Sequence, residues 1–359
     1  MNLLSMCRRR ALLAGTIAVL CLRGLSFLAT VPVAADSLPS KLSDQEFWTL
    51  VSDISEPNGF FRSDNLLSNE SGLQYVIPDL LKAPRSGRVY MGVGPEQNFT
   101  YIAALRPSMA FIVDIRRGNL DLQLMYKALF ELSTDRADFV SRLFARTRPE
   151  GLTTKSTAGE IFAAFRNVEL TESAYAENLK AIDTLLTVKH GFDLSPEDLK
   201  GIEYVYHAFT MFGPRIQYSS SGSFGGPFQP SYADLMSQTD GNGQARAYLA
   251  NEENFRVLKD LESKNLVVPA VGNFGGPKAI RAVGDYVKRN GGTVSAFYLS
   301  NVEQYLRMDG IWRNFCQNVA TLPLDETSVF IRAVRRVDGP TLGLSSELGE
   351  MLSEVKDCR

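Results

Sequence analysis

Residues 88–115 read RVYMGVGPEQNFTYIAALRPSMAFIVDI. Two nearly continuous apolar runs, each of strand length, flank a segment with helical spacing. The first run ends in Gly-x-Gly, the second in an acid. Apolar runs without alternation are buried on both faces, as central strands of a parallel sheet are. Arg88–Gly94 is therefore expected to be a strand. Pro95–Leu105 is expected to be a helix, with proline in its first turn, Glu96 at its positive end, and Phe99, Ile102 and Ala103 on one face. Pro107 ends that helix, and Ser108–Ile115 is expected as the next strand. Two parallel strands joined through a helix commit the chain to an α/β sheet.

The same alternation returns later. Leu266–Val271, Thr293–Leu299 and Thr327–Val334 read as strands, with helices over Pro277–Arg289 and Asn301–Val319. Between the second and third strands the pattern is helical, through Asp138–Arg146, Ala158–Phe165, Glu172–Leu186, Pro196–Met211 and Ala245–Ser263. The expected fold is a doubly wound, mostly parallel α/β sheet with a large helical insertion at about residues 119–263. Leu42–Ser55 reads as an N-terminal helix with Ser43 and Glu46 as a capping box, followed by a polar loop over Glu56–Leu73. The glycine-rich stretch Gly213–Gly243 is either a lid over the strand ends or a disordered connection.

Residues 1–35 have the features of a signal peptide: Arg8, Arg9 and Arg10, apolar stretches over Ala11–Leu22 and Gly24–Ala35, and the small-residue sequence Val33-Ala34-Ala35. Export to the periplasm or the extracellular space is expected, by a general or a twin-arginine signal, leaving residues 36–359 as one domain with no stable membrane insertion. Cleavage after Ala35 leaves 34 basic and 40 acidic residues, a net charge of −6, with no long basic run. Binding of nucleic acid by bulk charge is not expected. Two cysteines remain, Cys316 and Cys358, which either pair in an oxidising compartment or stay as thiols. There is no cysteine cluster for a metal, and the two histidines, His190 and His207, leave little material for a histidine-dependent site.

Ligands of open parallel sheets bind beyond the carboxyl ends of the strands. Those ends carry Gly92, Gly94, Glu96 and Asn98 after the first strand, Asp114 after the second, Asn273 after the third, and Asn301 and Glu303 after the fourth. Two glycines allow a tight turn and a close approach of backbone N–H groups to a ligand. Asp114 lies twenty residues past Gly94, where a carboxylate can accept hydrogen bonds from both hydroxyls of a ribose. The alternative is a structural turn, with Asp114 capping the next segment or pairing with Arg116 or Arg117.

The stretches GVGPEQNFTYIAALRPSMAFIVDIRR and MYKALFELSTDRADF give the chain a resemblance to an uncharacterised bacterial family with a Rossmann-like, S-adenosylmethionine-dependent methyltransferase fold. The resemblance implies S-adenosylmethionine as cofactor; the residues by themselves fix none. It places Gly92, Gly94, Glu96, Asn98 and Asp114 around the cofactor, and Asn273, Asn301 and Glu303 along the substrate side. The sequence departs from the superfamily at Tyr90, where an acid is usual, and at Glu96, where the last glycine of the turn would stand.

Three functions are consistent with this reading. The first is an exported protein that binds a nucleoside-like small ligand at the strand ends. The second is an active S-adenosylmethionine-dependent methyltransferase. The third is a non-enzymatic envelope protein that uses its inserted helices for protein contacts.

Overall fold

The computed structural model describes residues 37–219, 229–336 and 343–358. The leader expected over residues 1–35 lies outside them, as do residues 220–228 of the Gly213–Gly243 stretch. The chain runs α1 (Asp44–Ile54), α2 (Ile77–Leu80), β1 (Val89–Gly92), α3 (Gln97–Leu105), β2 (Met109–Asp114), α4 (Arg117–Leu132), α5 (Arg136–Leu143), α6 (Ala158–Phe165) and α7 (Glu172–Thr184). It continues through α8 (Pro196–Phe212), α9 (Tyr232–Ser237), α10 (Glu252–Ser263), β3 (Val267–Val271), α11 (Ala279–Arg289) and β4 (Val294–Ser300). The last elements are α12 (Val302–Met308), α13 (Trp312–Val319), β5 (Val329–Arg336), β6 (Gly343–Glu350) and α14 (Met351–Glu354).

The six strands form one sheet in the order β3-β2-β1-β4-β5-β6. β1 to β5 are parallel, and β6 returns antiparallel along β5. Every residue of β1, β2 and β3 is buried, which is why their sequences show no alternation. From β1 the chain winds through β2 to β3, then crosses back to place β4 on the other side of β1. The direction of winding thus reverses between β1 and β4, and the carboxyl ends part there to leave a crevice.

Helices α3, α4 and α10 pack together over one face, while α1, α11 and α13 pack over the other. α1 starts where Ser43 and Glu46 exchange hydrogen bonds in a capping box, and it buries Phe47, Leu50, Val51 and Ile54. α3 stops at Arg106, whose backbone is left-handed with φ 48° just before Pro107. Of the stretch read as an insertion, α4 and α10 belong to the sheet-covering layer. The residues between them build an outer helical layer in which α8 packs on α4.

Two differences from the sequence reading have clear causes. The helix expected over Asn301–Val319 is two helices, because Gly310 takes φ 71° between them. β6 follows no apolar period: its sequence GLSSELGE is that of an edge strand whose partner is on one side only. Among the described residues no helix is long and apolar enough to cross a membrane.

Cys316 on α13 and Cys358 near the C-terminus form a disulfide across 42 residues. Closing a loop of that size in the unfolded chain stabilises the fold by about 2–4 kcal/mol. Reduction should therefore lower the unfolding free energy by that amount in urea titrations run with and without reductant. An unchanged midpoint would mean that the bond adds nothing.

Candidate functional site

A cavity of about 420 Å³ opens at the carboxyl ends of β1 to β4. Its size suits a small organic molecule. The turn after β1 supplies Val93, Gly94 and Pro95; β2 supplies Asp114; the end of β3 supplies Gly272, Asn273 and Phe274; and β4 supplies Tyr298, Ser300 and Asn301. Gly94, Asp114, Asn273 and Asn301 thus meet at one rim. Gly92, Glu96, Asn98 and Glu303 do not line the cavity.

The β1 turn is held from beneath. Asn98 donates from Nδ2 to the carbonyls of Val93 at 2.9 Å and Pro95 at 2.7 Å, and its Oδ1 accepts from the Tyr90 hydroxyl at 2.8 Å. Gln123 of α4 donates to the carbonyl of Gly94 at 3.0 Å. A Cβ on Gly92 would lie 1.9 Å from Asn98 Oδ1, so that glycine makes room for the asparagine. Gly94 has φ 77° and faces open space. Tyr90, at the position where an acid is usual, is thereby a clamp on the turn.

Glu96 points away from the cavity and is fully buried. Its Oε1 accepts from the backbone N–H of Ser68 at 3.3 Å, and its Oε2 has no partner among the described residues. Burial pushes this carboxyl up to about 8, so it is neutral at ordinary pH. It neither crowds nor repels an anion at the turn.

Asp114 is 4% exposed. Its Oδ1 accepts from the backbone N–H of Arg116 at 2.9 Å, and the Arg116 guanidinium spans both carboxylate oxygens at 3.2 and 3.3 Å. Arg117 turns outward and makes a two-pronged pair with Asp198 of α8 at 2.7 and 2.9 Å, tying the inserted helices to the end of β2. After β3, the side chain of Asn273 accepts from Gly275 N–H at 2.9 Å. The adjacent N-terminus of α11 is capped by Glu56, which accepts from the N–H groups of Asn273, Lys278 and Ala279 at 3.1, 2.9 and 2.9 Å. Glu303 of α12 is half-buried outside the cavity, paired with Arg332 of β5 and reached by the Trp312 indole at 3.3 Å.

A fifth wall comes from a segment that the sequence offers only as a polar loop. Phe60, Phe61, Ser63, Asn65 and Glu70 from the connection after α1 fold over the strand ends and line the cavity. Glu70 is 1% exposed and accepts from the hydroxyls of Tyr298, Ser300 at 2.7 Å and Ser346 at 3.2 Å. No local pattern marks this residue; its surroundings are assembled from β4 and β6, which lie far away in sequence.

These features define an α/β protein with a small-molecule-sized cavity at the topological switch point of a mostly parallel sheet. A sequence model of a domain of unknown function, DUF7790, matches residues 66–347, and the chain belongs to that family. A search of curated proteins finds no match.

Proposed function

We propose that this is an exported, methyltransferase-like protein that binds a nucleoside-type small molecule at the carboxyl ends of its strands. The observation that carries the reading is the meeting of the Gly94 turn and Asp114 in one cavity at the switch point. Backbone near Gly94 can approach a ligand closely, and Asp114 stands where a ribose would present two hydroxyls. The Arg116 guanidinium now holds Asp114 by its edges, which leaves lone pairs on both oxygens for further donors. Strand order and the antiparallel β6 beside β5 support the methyltransferase-like comparison. Binding ranks ahead of methyl transfer because Tyr90 and Glu96 are committed to the scaffold. The disulfide between Cys316 and Cys358 favours an oxidising compartment, in keeping with the leader read over residues 1–35.

The test is calorimetry of residues 36–359 against S-adenosylmethionine, S-adenosylhomocysteine and adenosine. At least one should bind. Asp114→Asn should weaken that binding about tenfold or more, the cost of losing a charged acceptor. If the folded chain takes up none of the three, the nucleoside reading is wrong.

A further inference from the structure

We propose that Glu70 makes the cavity a receptor for a cationic amine: the molecule bound there carries an ammonium group that docks on this carboxylate. The proposal rests on the cavity reading above and names the group that sets its selectivity.

The hydrogens around Glu70 are arranged for an anion. Gln97 donates its side-chain amide to the Tyr298 oxygen, so the Tyr298 hydroxyl hydrogen is left to point at Glu70 Oε1. Ser300 donates to the same oxygen and Ser346 to Oε2. These donors are themselves fixed: Tyr101 donates to the carbonyl of Leu73 at 3.1 Å and contacts the Ser346 hydroxyl at 2.9 Å. Glu70 is in turn held by its own segment, its N–H donating to the Ser68 hydroxyl at 3.0 Å. Gly72 then bridges to Ser345 of β6.

The backbone at the site is also bent to serve this carboxylate. β4 shifts register between Tyr298 and Ser300, and Ser300 takes φ 50°, a left-handed conformation that is strained for a non-glycine residue. The result is that consecutive outward positions of β4, Tyr298 and Ser300, both aim hydroxyls at one oxygen. Strain of this kind persists where the surroundings impose it, and here they impose a carboxylate-binding arrangement.

What Glu70 lacks is an ion pair. Asp114, on the same cavity, has Arg116 as its basic partner. Glu96, Asp121 and Glu262 are buried without an ion pair among the described residues, but none of them lines the cavity. Among the described residues Glu70 makes no ion pair, and hydroxyls alone leave its pKa raised by burial. A buried carboxylate is stable as an anion only when paired. Glu70 lines the cavity alongside Arg62, Arg116 and Arg335, and a cation on the bound molecule can reach it there. An ammonium fits: it is compact and brings three donors, of which one or two meet Glu70. Aromatic groups at the mouth, Phe61 stacked edge-on to Tyr305 at 5.1 Å, would cover the remainder of such a molecule.

The test compares molecules that differ by the ammonium. 5′-(3-aminopropylthio)-5′-deoxyadenosine carries one and no carboxylate, and 5′-propylthio-5′-deoxyadenosine has the same nucleoside and chain without it; propylammonium and propanol are the corresponding pair without a nucleoside. Wild-type residues 36–359 should prefer the aminopropylthio over the propylthio nucleoside by about thirtyfold or more, and Glu70→Gln should erase that preference while leaving the propylthio nucleoside unchanged. Glu70→Gln should also melt no lower than wild type, because it removes a buried charge; a purely structural carboxylate would lose stability instead. Equal loss of both nucleosides, or no loss of either, overturns the proposal. If neither nucleoside binds the wild type, the nucleoside reading falls and the second pair decides. The 13C signal of the Glu70 carboxyl should then move with propylammonium and not with propanol. No movement, or movement with both, overturns the ammonium role.

Discussion

The unfolding free energy should fall by several kcal/mol as the pH rises from about 5 to about 8, and Glu96→Gln should remove a large part of that slope. Three carboxyls are pushed up to about 8: Glu96 by burial, Asp121 by burial and then by the charge of Asp198, and Glu262 by burial against the opposing pull of Lys127. In the unfolded chain each ionises near pH 4, so between that value and about 8 the folded state binds protons that the unfolded state has released. Stability therefore declines through that window and the penalty is complete above it. For Glu96 alone the bound is on the order of 4–5 kcal/mol, which relaxation around the ionised group will reduce. Glu131 acts with the opposite sign. His190 and Lys127 hold it down at about 2, so its contribution is present above pH 5 and is lost as the pH falls toward 2. The optimum should lie at mildly acidic pH. Urea titrations of wild type and Glu96→Gln at pH 5.5 and pH 8.5 measure this. If the substitution costs the same at both values, Glu96 is ionised in the fold and the neutral-acid account is wrong.

That result bears on the site as well as on stability. A neutral Glu96 packed under Ser68 leaves no negative charge at the β1 turn, so the departure from glycine at this position does not by itself forbid an anionic ligand group. On the proposed reading, the charge that matters for selectivity is carried instead by Glu70 and Asp114, which both line the cavity.

Most of the sheet could be read from the chain because its strands are buried on both faces. Val89–Gly92, Met109–Asp114, Val267–Val271 and Val294–Ser300 announce themselves by apolar content, and the glycines and prolines that end them act locally. Gly94, Asp114, Asn273 and Asn301 could be placed at one rim for the same reason: strand direction alone puts them there. The rest depends on side-chain direction or on distant partners. Nothing local tells that Asn98 and Glu96 turn under the sheet rather than into the crevice. Glu303 reads as a site residue until Arg332, on a neighbouring strand, takes it. Glu70 sits in a loop without period, and its chemistry comes from Tyr298, Ser300 and Ser346, more than two hundred residues away. The polar strand β6 carries Ser346 and gives no signal of burial in its sequence.

Arg136→Ala should destabilise the protein by about 3–5 kcal/mol, and Arg136→Lys should recover only part of that loss. Arg136 lies in the MYKALFELSTDRADF stretch and is 1% exposed. Its guanidinium is fully engaged: Nη1 donates to the carbonyls of Leu249 at 2.8 Å and Ala250 at 3.2 Å, Nη2 to those of Thr154 at 3.0 Å and Ser156 at 2.6 Å, and Nε to Glu252 at 3.2 Å. One side chain thereby joins the start of α5, the loop before α6 and the loop before α10, three segments with no backbone hydrogen bonds between them to replace it. Removing it leaves four carbonyls and a carboxylate desolvated, each a cost that water cannot repair inside the packed layer. Lysine keeps the charge but replaces a planar fork by a single ammonium, and it cannot reach both loops at once. Chemical denaturation gives the magnitude, and limited proteolysis locates it. Cleavage should appear first in residues 146–157 and 238–251, while the α3–α4–α10 layer resists. If wild type and Arg136→Ala are cut at the same sites and rates, the outer helices are held by their apolar contacts alone.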